Sequence, residues 1–333
     1  CRCSDGGEGV EPSPCMRHLS NSQGMATNAI YGFTNMLLKV MRELQPDQLA
    51  VIFDSKGPTF RKDIYPEYKA NRSAMPEDLV PQIPYIKRVV DALNLPGIEL
   101  AGYEADDIIA TLAKKFAAKG MDVTVVTGDK DMMQIVTDRI RLLDTMKDKV
   151  SGPAEVFERF GGADKVIEVQ ALSGDSSDNV PGVPGIGEKT AKSLIDDFGD
   201  IETLLSSLDQ LKGKRRENLE NFAEQARLSK RLVTLVDDLD LDIDDNAFVL
   251  MEPNREVLTE LFKECEFPKL LQEFSVDSRA NAAEASYRVV LSEAELAEMV
   301  AALESSERFA FDTETTGLDP LRADLVGLSF AVT

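Results

Sequence analysis

An α/β fold built on a parallel sheet is predicted by three features of the sequence. Two apolar runs, Leu49–Asp54 (LAVIFD) and Asp122–Thr127 (DVTVVT), have the length and composition of buried strands. Helical periodicity occupies Ala29–Leu44, Leu79–Leu93 and Glu104–Lys119 around them. Strand and helix therefore alternate, the pattern of a parallel sheet covered by helices on both faces. Ligands bind beyond the carboxyl ends of such strands, which places Asp54 and the pair Asp129/Asp131 at the predicted rim.

Further along, the strand signal fades. Residues 154–274 read as mostly helical, interrupted by the Gly/Pro-rich stretch Gly182–Gly187. Ser275–Ser286 (SVDSRANAAEAS) is small, polar and aperiodic, the composition of a linker. Tyr287–Leu291, Arg308–Asp312 and Leu325–Val332 read as strands around a helix at Glu293–Leu303, the start of a second α/β domain that stops in mid-pattern. The expected organisation is an atypical segment over 1–18, an α/β core over 19–153, a helical subdomain over 154–274, a linker over 275–286 and the incomplete second domain over 287–333.

Composition bounds the function. With 43% hydrophobic and 29% charged residues the chain is that of a folded protein, and no apolar stretch approaches the length of a membrane span. No basic start followed by an apolar run opens it, so a cytoplasmic protein is expected. The net charge of −22 argues against coating nucleic acid by bulk electrostatics but leaves room for local concentrations of positive charge. Three of the four cysteines fall within the first fifteen residues and Cys265 stands far away, so no disulfide framework spans the chain. Cys1, Cys3, Cys15 and His18 have an unusual spacing for zinc. His18 is the only histidine, which argues against histidine acid–base catalysis.

The chemistry lies in the carboxylates. Four segments carry them: Asp54 at a strand end, Glu104-Ala-Asp106-Asp107 opening a helix, Asp129-Lys-Asp131 after a strand, and Asp175-Ser-Ser-Asp178. Glu104 and Asp107 alone fit helix capping equally well, and Asp175 and Asp178 alone fit a Ser/Asp turn. Their conjunction favours a metal site. Eight acids at one rim raise one another's pKa unless cations neutralise them. An all-oxygen ligand set selects Mg²⁺ or Mn²⁺, and two such ions can clamp a phosphodiester.

Basic groups are placed to match. Phe60–Arg72 interleaves Arg61, Lys62, Lys69 and Arg72 with Phe60, Tyr65 and Tyr68, a mixture suited to phosphate contact and base stacking, or equally to a solvated helix face. Prolines at 76, 81 and 84 bound it, so an excursion above the rim is expected. In Val180–Ala191 (VPGVPGIGEKTA), Gly185 and Gly187 precede a helix start holding Lys189 and Thr190, so backbone N–H groups can converge on a phosphate. Glu188 interrupts the Gly-Lys-Ser/Thr of a nucleotide-binding loop, which excludes ATP and leaves a helix-hairpin-helix contact to a nucleic-acid backbone. The run Lys212–Arg216 (KGKRR) either extends that track or is an exposed turn. Asp237–Asp245 fails as a calcium loop, with Ile243 at the glycine position and Val249 at the bidentate Glu position, and reads as an acidic connector.

VIFDSKGPTFRKDIYPEYKANR, GYEADDIIATLA, VVTGDKDMMQIV and ALSGDSSDNVPGVPGIGEKTA together resemble the 5′ nuclease domain of bacterial DNA polymerase I, within the flap endonuclease family. The resemblance covers about Leu19–Phe274. It implies a PIN-like nuclease core with a helical arch and a helix-hairpin-helix subdomain. By motif it implies metal ligation by Asp54, Glu104, Asp106, Asp107, Asp129, Asp131, Asp175 and Asp178, and catalytic contacts to the scissile phosphate from Lys69 and Arg72. Arg61, Tyr68, Lys69, Arg72, Gly185, Gly187, Lys189 and Thr190 are the DNA-binding residues it implies, with K⁺ assisting the hairpin. The implied reaction is Mg²⁺-dependent hydrolysis of 5′ flaps and RNA primers by a monomer acting at the bacterial nucleoid.

RFAFDTETTGLDP resembles the first motif of a 3′–5′ exonuclease domain, with Asp312 and Glu314 as matching metal ligands. The later acids of that family lie beyond Thr333, so no proofreading is expected of this chain. Members of the 5′ nuclease family begin with a strand bearing another metal-binding Asp. Residues 1–16 do not match that strand, and its loss implies an exposed sheet edge or a gap, and a weakened metal site. A branched-DNA binder without turnover is therefore the alternative reading.

Overall fold

The computed structural model describes residues 19–275, 288–306, 308–317 and 324–332. The Cys/His set near the N-terminus and most of the expected linker lie outside the described residues. The chain divides into two compact units, Cys1–Val276 and Asp277–Thr333.

In the first unit α1 (Asn28–Leu44), β1 (Val51–Ile52), α2 (Phe60–Ile64), α3 (Gln82–Ala92), β2 (Gly97–Ile98), α4 (Ala105–Ala118) and β3 (Val123–Val126) succeed one another. A 3₁₀ turn at Lys130–Ile135, β4 (Ile140–Asp144) and β5 (Lys149–Ser151) follow. Then come the helices α5 (Pro153–Phe160), α6 (Ala163–Ser173), α7 (Glu188–Phe198), α8 (Ile201–Ser206), α9 (Gly213–Asn221), α10 (Ala223–Val233), α11 (Arg255–Glu264) and α12 (Pro268–Phe274). The alternation expected for the α/β core is present.

The sheet departs from the expected single parallel one. β1 pairs with β2 and β3 with β4, both parallel, but β5 returns antiparallel to β4. A four-residue turn joins β4 to β5, with Asp148 at φ 50°, and so short a link permits only the antiparallel return. β1 and β3 do not pair with each other. A cavity of about 370 Å³ lies between them, lined by Leu37, Ile52, Leu112, Phe116, Val125 and Phe248 among others.

β1 separates two cores. Val51 and Phe53 join α1, α3, α11 and α12, whereas Ile52 faces α4, β3, β4 and the helices from α5 to α10. Leu37, Ile86, Leu258 and Phe262 are essentially fully buried in the first core. Each such burial contributes about 1.5–3 kcal/mol over leaving the side chain in water. Because α11 and α12 return to α1 and α3, residues 154–274 are not a separate body. Central in the second core, α4 is buried on nearly every face of its first two turns.

The basic segment is the five-residue α2 followed by turns that lie on the acid rim. The acidic connector is tied to α4 rather than free, with Lys114 on Asp237 and with Lys115 and Lys119 on Asp245.

In the second unit α13 (Glu293–Ser305) starts at a capping box between Ser292 and Glu295. β6 (Phe309–Thr315) and β7 (Leu325–Val332) form an antiparallel pair. Arg288–Leu291, expected as a strand, is irregular. Among the described residues no helix is long and apolar enough to cross a membrane.

Candidate metal centre and nucleic-acid interface

Four elements bring the predicted acids to one end of the first unit. Asp54 follows β1, and its Oδ1 accepts a hydrogen bond from the N–H of Ala105 at 2.8 Å, which ties it to the start of α4. Glu104 is the N-cap of α4, and Asp106 is buried in the same turn. An acid at this helix end faces the positive end of the macrodipole. Asp129 and Asp131 open the 3₁₀ turn after β3, where Asp129 Oδ1 accepts from the N–H of Asp131 at 2.9 Å.

Asp175 and Asp178 sit on a loop closed by the antiparallel bridge between Asp175 and Val180. Two glycines make that closure possible. Gly174 (φ +72°) and Gly182 (φ +59°) cross so closely that a Cβ on Gly182 would lie 2.3 Å from the nitrogen of Gly174.

Side-chain cations of the chain itself occupy much of this rim. Lys69 Nζ lies 2.5 Å from Glu104 Oε1 and 3.5 Å from Asp178 Oδ2. Arg72 pairs with Asp178, and Lys130 Nζ lies 2.9 Å from Asp175 Oδ2. Lys69 adopts a left-handed backbone (φ 56°) and donates its N–H to the carbonyl of Asp178 at 2.9 Å. The basic segment is thus clamped directly onto the acids.

One acid remains under electrostatic pressure. Burial, then the charges of Asp129, Asp175 and Asp178, push the Asp131 carboxyl up to about 8, although Lys130 opposes the shift. Both acid pairs thus share one electrostatic neighbourhood. The donor set is all oxygen and over-rich in negative charge, so its chemistry fits a hard divalent cation. Its arrangement is not yet that of a ligand cage. Among the described residues no group of three or more His, Cys, Asp or Glu side chains is posed to hold an ion.

Three sequence expectations are corrected. Asp107 is fully buried and spends both oxygens on Arg61, at 2.7 and 2.8 Å, while also accepting from the N–H groups of Glu104 and Val236. It is turned inward and has no oxygen left for a metal. Arg61 is 1% exposed and also donates to the carbonyls of Leu232 and Thr234, so it cannot contact DNA. Burial works against its charge, yet the bonds to Asp107 and the charges of Asp107 and Glu104 keep it firmly protonated. Tyr68 is buried as well, and its hydroxyl donates towards Glu104 and Asp178 at 3.1 Å each. Instead of stacking on a base, it spaces two acids. Burial, with those two negative charges, holds its own proton tightly.

The glycine-rich stretch forms a hairpin between α6 and α7. Gly185 has φ +77°, and around Gly187, the N-cap of α7, a Cβ would meet nothing within 4 Å. Backbone there is open to a ligand, and Lys189 is exposed beside it, with Thr190 half-buried. The hairpin is held from behind: Ser229 accepts from the N–H of Gly182, Gln225 donates to its carbonyl, and Asn218 donates to the carbonyl of Pro184 at 2.7 Å.

Residues 13–161 match the family described as 5′-3′ exonuclease, N-terminal resolvase-like domain, and residues 162–256 that described as 5′-3′ exonuclease, C-terminal SAM fold. The chain belongs to the 5′-3′ exonuclease family. Residues 287–333 match a 3′-5′ exonuclease family. DNA polymerase I of Rhizobium leguminosarum is 47% identical over 258 residues, 75% of this chain and 25% of that protein. DNA polymerase I of Pseudomonas aeruginosa is 41% identical over 333 residues, 94% of this chain and 36% of that protein. This exonuclease chain thus spans about a quarter to a third of the length of those relatives and corresponds to their 5′ nuclease part. The fold is shared with the zinc-bound 5′-exonuclease of bacteriophage T5 (TM-score 0.54, 22% identity, covering 75% of this chain and 90% of that one). It is shared too with the catalytic core of Rad2 in complex with DNA (TM-score 0.54, 17% identity, covering 76% and 86%).

Two side chains at this rim escaped the sequence reading. Gln170 on α6 donates to Asp131 Oδ1 at 2.5 Å, and Lys130 neutralises Asp175. Lys130 stands in plain view between two acids, whereas nothing local marks Gln170. In the second unit Asp312 and Glu314 lie two residues apart on β6, both exposed and on one face of the strand.

Proposed function

We propose that the chain hydrolyses phosphodiester bonds at 5′ flaps and RNA-primed 5′ ends of DNA, with Mg²⁺ or Mn²⁺, as the 5′ nuclease part of a bacterial DNA polymerase I in replication and repair. The observation that carries this reading is the convergence of acids from four segments on one rim, where the Tyr68 hydroxyl bridges Glu104 and Asp178, Asp129 accepts from the N–H of Asp131, and Lys130 pairs with Asp175. Asp54, Glu104, Asp106, Asp129, Asp131, Asp175 and Asp178 are the residues to hold the ions. When bound, two divalent cations supply an activated water and charge stabilisation at the leaving oxygen.

The chain's own groups do the rest. Lys69 and Arg72, now on Glu104 and Asp178, are the groups that would hold the scissile phosphate with cations on the acids, fixing its position and balancing the charge that develops there. The open backbone at Gly185–Gly187, with Lys189 and Thr190, grips a phosphate of the duplex arm, aided by K⁺. A monomer is sufficient for this, working on the chromosome in the cytoplasm.

The test is cleavage of a labelled 5′-flap duplex. Cutting near the junction in Mg²⁺, abolished by EDTA, is expected, and an intact flap at saturating Mg²⁺ with a folded protein rejects the nuclease reading. A second reading, flap binding without turnover, is favoured by the lysine and arginine side chains already seated on the acids. Binding with no product in the same assay identifies it.

A further inference from the structure

Gln134 and Gln170 both donate to Asp131, and the two amides are used differently. Gln134 serves backbone alone: its Nε2 donates to the carbonyls of Asp131 and Val233 at 2.9 and 3.0 Å, and its Oε1 accepts from the N–H of Leu235 at 3.0 Å. That amide is a structural brace with both ends satisfied. Gln170, 3% exposed on α6, gives its Nε2 to a side chain instead, Asp131 Oδ1 at 2.5 Å, and its Oε1 is buried with no hydrogen-bond partner among the described residues. Chemistry fixes which end is which, because the reverse orientation would set an amide oxygen against a carboxylate oxygen. An acceptor buried alone costs stability, a cost that an apolar side chain of the same size would avoid.

The main chain gives this position a second hold on the rim. The Gln170 carbonyl accepts from the N–H of Gly174 at 2.8 Å, ending α6 just before Asp175. Gln170 thus joins the two acid pairs, its side chain to the turn of Asp129 and Asp131 and its carbonyl to the loop of Asp175 and Asp178.

We infer that Gln170 is a positioning residue of the metal centre: its amide fixes the carboxylate of Asp131, leaving the other oxygen, Oδ2, to meet a divalent cation in register with the acids of the loop. The inference rests on the metal-binding reading of the rim. A hydrogen bond to a ligating carboxylate limits its rotation, and losing such a partner lowers metal affinity about 10–100-fold. The unpartnered Oε1 belongs to the same picture, since Mg²⁺ retains several waters and a hydrated cation brings donors that the protein alone lacks.

The test is Mn²⁺ binding to the full chain without DNA, read from the electron paramagnetic resonance of the free ion, for the parent, Gln170→Met, Asp131→Asn and the double variant. Gln170→Met keeps the length of the side chain and removes the amide. It is expected to weaken the tightest Mn²⁺ by about 10–100-fold, while in the Asp131→Asn background the same substitution causes little further loss. An affinity unchanged in Gln170→Met overturns the inference. So does an equal loss in both backgrounds, which would mean that Gln170 supports the fold rather than Asp131. Should circular dichroism show Gln170→Met unfolded, Gln170→Asn, whose amide falls a methylene short of Asp131, takes its place in the cycle with the same expected outcomes. A parent chain that binds no Mn²⁺ overturns the metal reading itself.

Discussion

The acid rim and the hairpin face treat charge in opposite ways. At the rim each cation is spoken for: Lys69 by Glu104, Arg72 by Asp178, Lys130 by Asp175, and Arg61 by Asp107. On the hairpin face Lys189, Lys214 and Arg215 stand exposed with no ion pair among the described residues. A ligand at the rim must displace internal partners before it gains its own, which favours a highly charged one. At the hairpin a phosphate displaces only water and counterions. On the proposed reading, affinity for nucleic acid belongs to the helical side, and chemistry to the side where binding is coupled to rearrangement.

Within the rim itself, depth separates scaffold from chemistry, and the largest expected effect tests that division. Asp107→Ala strands the fully buried Arg61 without its carboxylate, and breaking one partner of a buried pair costs about 3–5 kcal/mol. Chemical denaturation followed by circular dichroism measures it. Replacing both partners, Arg61→Met with Asp107→Leu, should restore part of the loss, because the desolvated charge is then gone. A stability unchanged in Asp107→Ala would return this residue to the list of metal ligands.

How much of this was legible in the sequence follows the range of the forces involved. The helices at 28–44 and 105–118 and the strand at 123–126 agree with their periodicity to within a residue or two, because their buried stripes are local patterns. β2 and β5, two and three residues long, were invisible, since pairing rather than pattern defines them. The acids Glu104, Asp106 and Asp107 read alike in sequence. Only the side chain of Arg61, bonded across forty-six positions and held from behind by Leu232 and Thr234, separates Asp107 from the others. Base stacking and phosphate contact were expected because basic and aromatic residues alternate, yet Tyr68 and Lys69 find partners in the acids beneath.

Next in size is a contrast between two glycines of the same loop region. Gly182 is required by a backbone crossing, and Gly182→Ala forces a Cβ to 2.3 Å from the nitrogen of Gly174 at positive φ. A cost of about 1–3 kcal/mol is expected, with displacement of Asp175 and Asp178 and a loss of cleavage. Gly187 meets nothing, so Gly187→Ala should melt with the parent while binding duplex DNA more weakly. Thermal melts paired with duplex binding separate the two. Equal melting temperatures for both variants would show that the crossing does not hold the acid loop.

The smallest effect has a sign that sets the rim apart from ordinary surface acids. Asp131 is held up to about 8, so between the usual carboxylate range and that pH the folded state binds more protons than the unfolded chain. Stability in EDTA must then fall as pH rises through that window and level off above it. Asp131→Asn should flatten the profile and raise stability at pH 8, because the repulsion shared with Asp129 and Asp175 is then relieved. Adding Mg²⁺ should raise the parent's melting temperature more at pH 8 than at pH 6, since a cation removes the repulsion that the proton otherwise relieves. The hairpin face should give no such pH-dependent response to Mg²⁺, so the pH slope of the Mg²⁺ shift would report on the rim. A shift independent of pH, or a profile unaltered in Asp131→Asn, would mean that the crowded acids are already neutralised by Lys130 and its neighbours.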